Sequence, residues 1–194
     1  MSFLFYVLLG VALVLVGMII KSRYFSFQAQ ISDDYANHGP LFDIRERLNG
    51  LIVCEGVIYG PMGRVTSRFT ANFEASWEGN VGKMVEVFHY DSGNVQHREW
   101  LLTLGNDGAI KAEASDLVGT GTGRQVGSAV LLNYRIKLSK DAGGYVLDTT
   151  DWMYLMSNGS IMNRSQFRKF GIKVAELVAT MRPANGVKII DSGE

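Results

Sequence analysis

The side chains best equipped for chemistry lie near the end of the chain. Asp151, Trp152, Tyr154 and Arg164 flank Asn158-Gly159, a dipeptide that favours a tight β-turn. With a two-residue turn there, Met156 faces Ile161, Tyr154 faces Asn163, Asp151 faces Gln166 and Asp148 faces Lys169. One face of the hairpin then carries Asp151, Met153, Leu155, Arg164 and Gln166, and the other carries Trp152, Tyr154, Asn163 and Ser165. An arginine and a carboxylate inside an apolar enclosure are suited to holding an acyl chain by its head group. The competing reading is an internal ion pair that only closes the fold, because buried charges are usually paired for structure. The expected ligand-binding set is Arg164, Asp151, Trp152 and Tyr154, with Trp77 and Phe73 from an upstream apolar face.

Other reactive groups carry less. A two-residue loop at Ser92-Gly93 sets Glu86 opposite Glu99 and Val87 opposite Arg98, an unfavourable pairing of like charges. Either Arg98 then sits nearby as a counter-charge or the register is shifted. His38, His89 and His97 read as exposed, with no second cysteine to complete a metal site. Cys54 lies in an apolar run and reads as a buried, inert thiol. Gly119 to Gly127 resembles a phosphate loop but lacks the Gly-Lys-Ser/Thr ending, so it reads as a flexible β–β loop. No catalytic constellation, metal or cofactor is assigned, and the chain is read as a non-enzyme.

The elements that must position these residues are strands. Over Val65–Glu78 one face reads Val65, Ser67, Phe69, Ala71, Phe73, Ala75, Trp77, and the other is polar at every position. That period-two pattern marks a strand with one buried face. Similar runs at Leu51–Tyr59, Lys83–Tyr90, Val95–Leu104, Ala109–Val118, Ser128–Ser139, Tyr145–Met156 and Ile161–Met181 are joined by short Gly/Asn/Asp turns. Parallel strands need long crossovers, so these strands must meander antiparallel. The expected fold is all-β, an antiparallel up-and-down barrel of about eight strands, closed to remove its edges. Gly171 marks a bend or bulge in the last run.

The start of the chain differs. Phe3 to Ile20 is uncharged and apolar, long enough as a helix (roughly 27 Å) to cross the hydrocarbon layer. No basic n-region, small-x-small cleavage site or lipidation cysteine accompanies it, so residues 1–23 read as an uncleaved single-pass anchor. Residues 24–50 form a connector with a short helix near Phe42–Leu48, 51–182 the barrel, and 183–194 a tail. Nineteen basic and nineteen acidic residues cancel, and no basic cluster appears, which argues against nucleic acid as a partner.

Several blocks in order resemble the domain-of-unknown-function 3833 family: Asp33-Asp34-Tyr35-Ala36 with Gly39-Pro40, Phe42-Asp43-Ile44-Arg45, Gly63 to Phe69, Trp77-Glu78-Gly79, Asp151 to Leu155, Asn163-Arg164-Ser165 and Lys169-Phe170-Gly171. The resemblance implies a proteobacterial protein with a lipocalin-like barrel, in a family usually read as lipoproteins and without established activity. It favours a periplasmic domain on the bacterial inner membrane, whereas Lys21 and Arg23 beside the helix favour the cytoplasmic side. Two classes of function follow. One is a membrane-anchored module binding a lipid or other small apolar ligand. The other is a structural or accessory subunit of a membrane complex, with a solid barrel. A cavity of several hundred cubic ångströms separates them.

Overall fold

The computed structural model describes residues 2–140 and 142–184. Helix α1 (Ser2–Tyr24) leads through two single 3-10 turns (Phe27–Ala29 and Ser32–Tyr35) and a short helix α2 (Ile44–Arg47) into ten strands. These are β1 (Gly50–Tyr59), β2 (Val65–Glu78), β3 (Val81–Tyr90), β4 (Val95–Leu104), β5 (Ala109–Glu113), β6 (Gly121–Val126), β7 (Ala129–Lys137), β8 (Val146–Leu155), β9 (Ile161–Lys169) and β10 (Ile172–Pro183). Each strand pairs antiparallel with its neighbours in sequence, and β1 pairs with β10 from Ile52↔Pro183 to Tyr59↔Glu176. The barrel is closed.

Ten strands replace the expected eight for two local reasons. The glycine-rich run contains β6 instead of a flexible loop. Gly123 lies opposite Ile110 and Leu132, and a Cβ there would fall 2.1 Å from the Leu131 carbonyl oxygen. Its glycine allows close strand packing. At Gly171 the chain reverses outright. Phe170 (φ 52°) and Gly171 (φ 78°) form a two-residue turn between the paired Lys169 and Ile172, and left-handed values at both central residues define a type I′ hairpin.

Strand alternation follows the sequence pattern where that pattern is clean. In β2, Phe69, Ala71, Phe73 and Ala75 are buried, while Arg68, Thr70, Glu74 and Ser76 are exposed. In β7, Val130, Leu132, Tyr134 and Ile136 point inward. Residues 42–48 plug one end. Phe42, Ile44 and Leu48 are buried, the Ile44 amide donates to Gln125 Oε1 (3.1 Å), and Trp77 Nε1 donates to the Leu48 carbonyl (2.7 Å). Asp43 fixes α2 by accepting from the Arg45 amide at 2.9 Å. The opposite end, framed by residues 60–64, 91–94, 114–120, 138–140, 142–145 and 170–171, is the mouth.

Four connections share one form. In 60–64, 90–94, 105–109 and 156–160 the flanking residues are linked by a backbone hydrogen bond across three loop residues. The third loop residue is Gly63, Gly93, Gly108 or Gly159, each with φ between 75° and 86°. These are three-residue hairpin loops with glycine in the left-handed position, not two-residue turns.

Truncation on the two faces of β2 tests this inside–outside assignment. Phe73→Ala should destabilise the barrel by about 3–5 kcal/mol, and Glu74→Ala should stay within about 0.5 kcal/mol, in urea unfolding monitored by circular dichroism. Equal, small effects would contradict it.

Candidate functional site

The barrel encloses a cavity of about 950 Å³, running from Ile44 and Leu48 at the plugged end to Ser92, Asn94 and Ser139 at the mouth. Space remains because many inward positions are small: Gly56, Ala71, Ala75, Ala112, Gly121 and Ala179 take places where larger side chains would fill the lumen. Phe69, Phe73, Phe88, Leu132, Ile136, Leu177 and Met181 give the walls their apolar character. Phe88 packs against both Phe69 (5.4 Å between ring centroids) and Phe73 (5.6 Å).

A belt of polar groups crosses this lumen. Glu86 of β3 lies opposite Arg98 of β4. The Arg98 guanidinium lies 4.0 Å over the Trp100 ring, and its Nε is 3.0 Å from Asp116 Oδ2 in the β5–β6 connection. Its Nη2 is buried with no hydrogen-bond partner among the described residues. On the opposite wall, Asp151 of β8 accepts from Ser165 Oγ (2.8 Å) and Asn163 Nδ2 (2.5 Å), both on β9. Tyr134 reaches towards Arg98, its ring centroid 5.5 Å from the guanidinium.

Burial governs the charge state of this belt. It pushes the Glu86 carboxyl up to about 7, against the opposing pull of Arg98 and a hydrogen bond with Trp100. Asp151 is raised for the same reason, opposed by its hydrogen bonds to Ser165 and Asn163. Tyr134 and Cys54 are also pushed up by burial. Near neutral pH the lumen therefore holds one matched ion pair, a titrating carboxyl and an orphaned guanidinium N–H. It can both donate to and accept from a polar ligand group.

The sequence-derived residues divide between inside and outside. Asp151 and Phe73 line the cavity. Trp77 packs at the plugged end against Gly82 and the α2 segment. Trp152, Tyr154 and Arg164 lie on the outer surface of the barrel. Alternation within β8 sets Trp152 and Tyr154 on the face opposite Asp151, and the three-residue loop at 157–159, which pairs Asp151 with Ser165 and Trp152 with Arg164, one residue from the expected register, puts Arg164 there too. A slip of one residue exchanges the faces of a strand. Asn163 and Ser165 therefore join Asp151 inside, while Arg164 and Gln166 go outside. Arg164 donates through Nε to Glu176 Oε1 (2.5 Å) and lies 4.8 Å over the Phe27 ring. Lys173 also bonds Glu176, and these two cations outweigh burial and hold its carboxyl below the usual range. Trp152 is buried beneath the connector, 5.3 Å from Tyr35, and the Tyr154 hydroxyl hydrogen-bonds Gln30 Oε1 at 2.7 Å.

The same slip corrects the β3–β4 hairpin. Its loop, Asp91-Ser92-Gly93, pairs Glu86 with Arg98, so the expected clash with Glu99 does not arise. Glu99 instead meets Lys83 at 3.0 Å on the outside. The site residues missed by the ligand-set reading were Glu86, Arg98, Tyr134, Asn163 and Ser165. Their available signal was a polar residue interrupting an apolar face, as in Met84, Glu86, Phe88.

A closed, plugged antiparallel barrel around an open lumen is a lipocalin-like fold. The sequence model of the family described as "Protein of unknown function (DUF3833)" matches residues 23–183, and the chain belongs to that family. No curated protein matches the sequence. Among solved structures, the chain is similar to the S-type phycobiliprotein lyase CPES from Guillardia theta. The TM-score is 0.55 at 10% identity, covering 79% of this chain and 97% of that one. At that identity the likeness concerns the fold.

The acidic lumen sets a pH signature. A carboxyl raised above its unfolded value binds its proton more tightly in the folded state. Its contribution is therefore complete below pH 4.5 and is lost as pH rises through about 7. Wild-type stability should fall by up to about 3 kcal/mol over that interval. Glu86→Gln should flatten the decline in pH-dependent urea unfolding; an unchanged slope would show that Glu86 is not the titrating group.

Proposed function

We propose that this protein is a membrane-anchored, lipocalin-like binding module that holds one amphipathic molecule in its barrel. The observation that carries the reading is the cavity of about 950 Å³, apolar along its length and crossed by convergent polar groups. Ligand pockets of about 300–1,000 Å³ with a few placed polar groups have this character. The apolar part of the ligand lies along Phe69, Phe73, Phe88 and Met181. Its polar part meets the belt of Glu86, Arg98 and Asp151, accepting from the guanidinium and donating to a carboxyl. A hydroxyl, amide or protonated acid satisfies both demands. This replaces an arrangement centred on Arg164, which faces outward.

Anchoring rests on α1. Among the described residues it is the one helix long and apolar enough to span a bilayer, with none of its apolar window buried. An N-terminal signal sequence has the same profile. The anchor reading is favoured by the absence of a small-x-small site between Ile20 and Phe25 and by Lys21 and Arg23 at the helix end.

Binding is tested by titrating the full-length protein in mild detergent with a fluorescent fatty alcohol. One saturable site is expected, and Leu132→Trp, which fills the lumen, should weaken it at least about tenfold, or about 1.4 kcal/mol. The variant should retain wild-type circular dichroism. Equal affinity in both proteins would place the probe outside the barrel and contradict the reading.

A further inference from the structure

The connector sets where α1 joins the barrel. Gln28, only a few residues beyond α1, is held on the outer surface of β8–β9 at mid-strand, where it contacts Thr150 Oγ1 (3.3 Å) and Gln166 Oε1 (3.4 Å). Phe27 is buried there beneath Arg164. The chain then descends. Gln30 and Tyr35 meet Tyr154 further towards the plugged end, and the Tyr35 carbonyl lies where a Cβ on Gly127, in the β6–β7 turn, would be 1.8 Å away. Residues 42–48 complete the plug. The connector thus runs from the middle of the barrel wall to its closed end, so α1 joins the barrel beside mid-strand and not at the plug.

The mouth carries features that the barrel itself does not use. Phe170, at the tip of the β9–β10 hairpin, is 90% exposed, and Ile172 beside it is 71% exposed. Phe170 holds φ 52°, a region that bulky residues avoid and that Asn, Asp or Gly would occupy with less strain. Inside the molecule this strained, exposed aromatic meets the Lys169 ammonium, 5.7 Å from its ring centroid. Next to it, Tyr145 of the β7–β8 connection lies under the Lys169 ammonium at 3.5 Å, and Lys137 and Lys140 are exposed on the same rim. Phe170 lies four positions beyond Gln166, about 13 Å of strand. Phe25 lies three positions before Gln28, at most about 11 Å of chain. The hairpin tip is therefore within reach of the plane in which α1 leaves the bilayer.

We propose that the mouth of the barrel docks on an anionic lipid surface, with the Phe170–Ile172 tip entering the interface and the lysines meeting lipid phosphates. The lumen then opens towards the bilayer, so an amphipathic ligand enters from the membrane. This rests on the anchor reading above. Aromatic and aliphatic tips flanked by lysine are suited to the bilayer interface, about 5–10 Å into the headgroup boundary.

The test uses the full chain with Ile172→Cys carrying an environment-sensitive fluorophore, and Ser157→Cys at the closed end as reference. Cys54 is buried, its thiol pKa raised by burial, and stays unlabelled. Each protein is reconstituted into phosphatidylcholine vesicles containing phosphatidylglycerol, with and without nitroxide-labelled lipid. The probe at 172 should lose about half its emission to the nitroxide, as expected at interfacial depth, and the probe at 157 should be unaffected. Adding Phe170→Asp, which tolerates a left-handed φ, should abolish the quenching while circular dichroism stays unchanged. Flotation of the same vesicles reports the anchor independently. A protein that floats but shows equal quenching at 172 and 157 overturns mouth docking and leaves the anchor standing. A protein that does not float overturns both.

Discussion

Closure of β1 against β10 is the constraint on which the rest of the structure depends. Eight consecutive pairs, Ile52↔Pro183 to Tyr59↔Glu176, turn a ten-strand meander into a barrel and remove both edges. Once closed, every strand has an inside and an outside, and the alternation of side chains assigns each residue to lumen or surface. The small inward residues then decide whether the lumen is filled. Leucines at Ala71, Ala75, Ala112 and Ala179 would occupy space that is now open lumen. The plug at 42–48 closes one end, so the lumen has a single mouth.

The sequence was most legible where one face alone is apolar. β2 alternates without exception, and its inside and outside could be read directly. β3 could not be read that way, because Val85 and Val87 are as apolar as Met84 and Phe88, leaving Glu86 without a face. Turn chemistry produced the larger error. In Asp91-Ser92-Gly93 and Ser157-Asn158-Gly159 the glycine is the third residue of a three-residue loop, whereas Ser-Gly and Asn-Gly alone favour a two-residue turn. One residue of register moved Arg164 outside and brought Asn163 and Ser165 inside. Trp152 was misplaced for a different reason. It is buried, but under the connector, and nothing in the polar run from Ser26 to His38 marks Phe27 and Tyr35 as a second layer over the sheet.

The buried polar belt is the feature a purely structural barrel would least need. Replacing such groups with apolar ones is often neutral or stabilising, and a buried carboxyl raised to about 7 lowers stability at neutral pH. Arg98 is matched by Asp116 and stacked on Trp100, yet Nη2 is left without a partner in a lumen large enough for a ligand. These contacts hold the arginine in place on the wall of the cavity. That combination accounts for the cavity and the charge pattern together, which an internal ion pair alone does not.

Native mass spectrometry of the full chain, released gently from the membrane of an expressing cell, tests the central claim most directly. The account predicts a species heavier than the chain by one small amphipathic molecule, lost on collisional activation and absent from an Arg98→Met variant that keeps the wild-type circular dichroism. A wild-type chain that appears only at its own mass, from several lipid backgrounds and with its barrel intact, would contradict it.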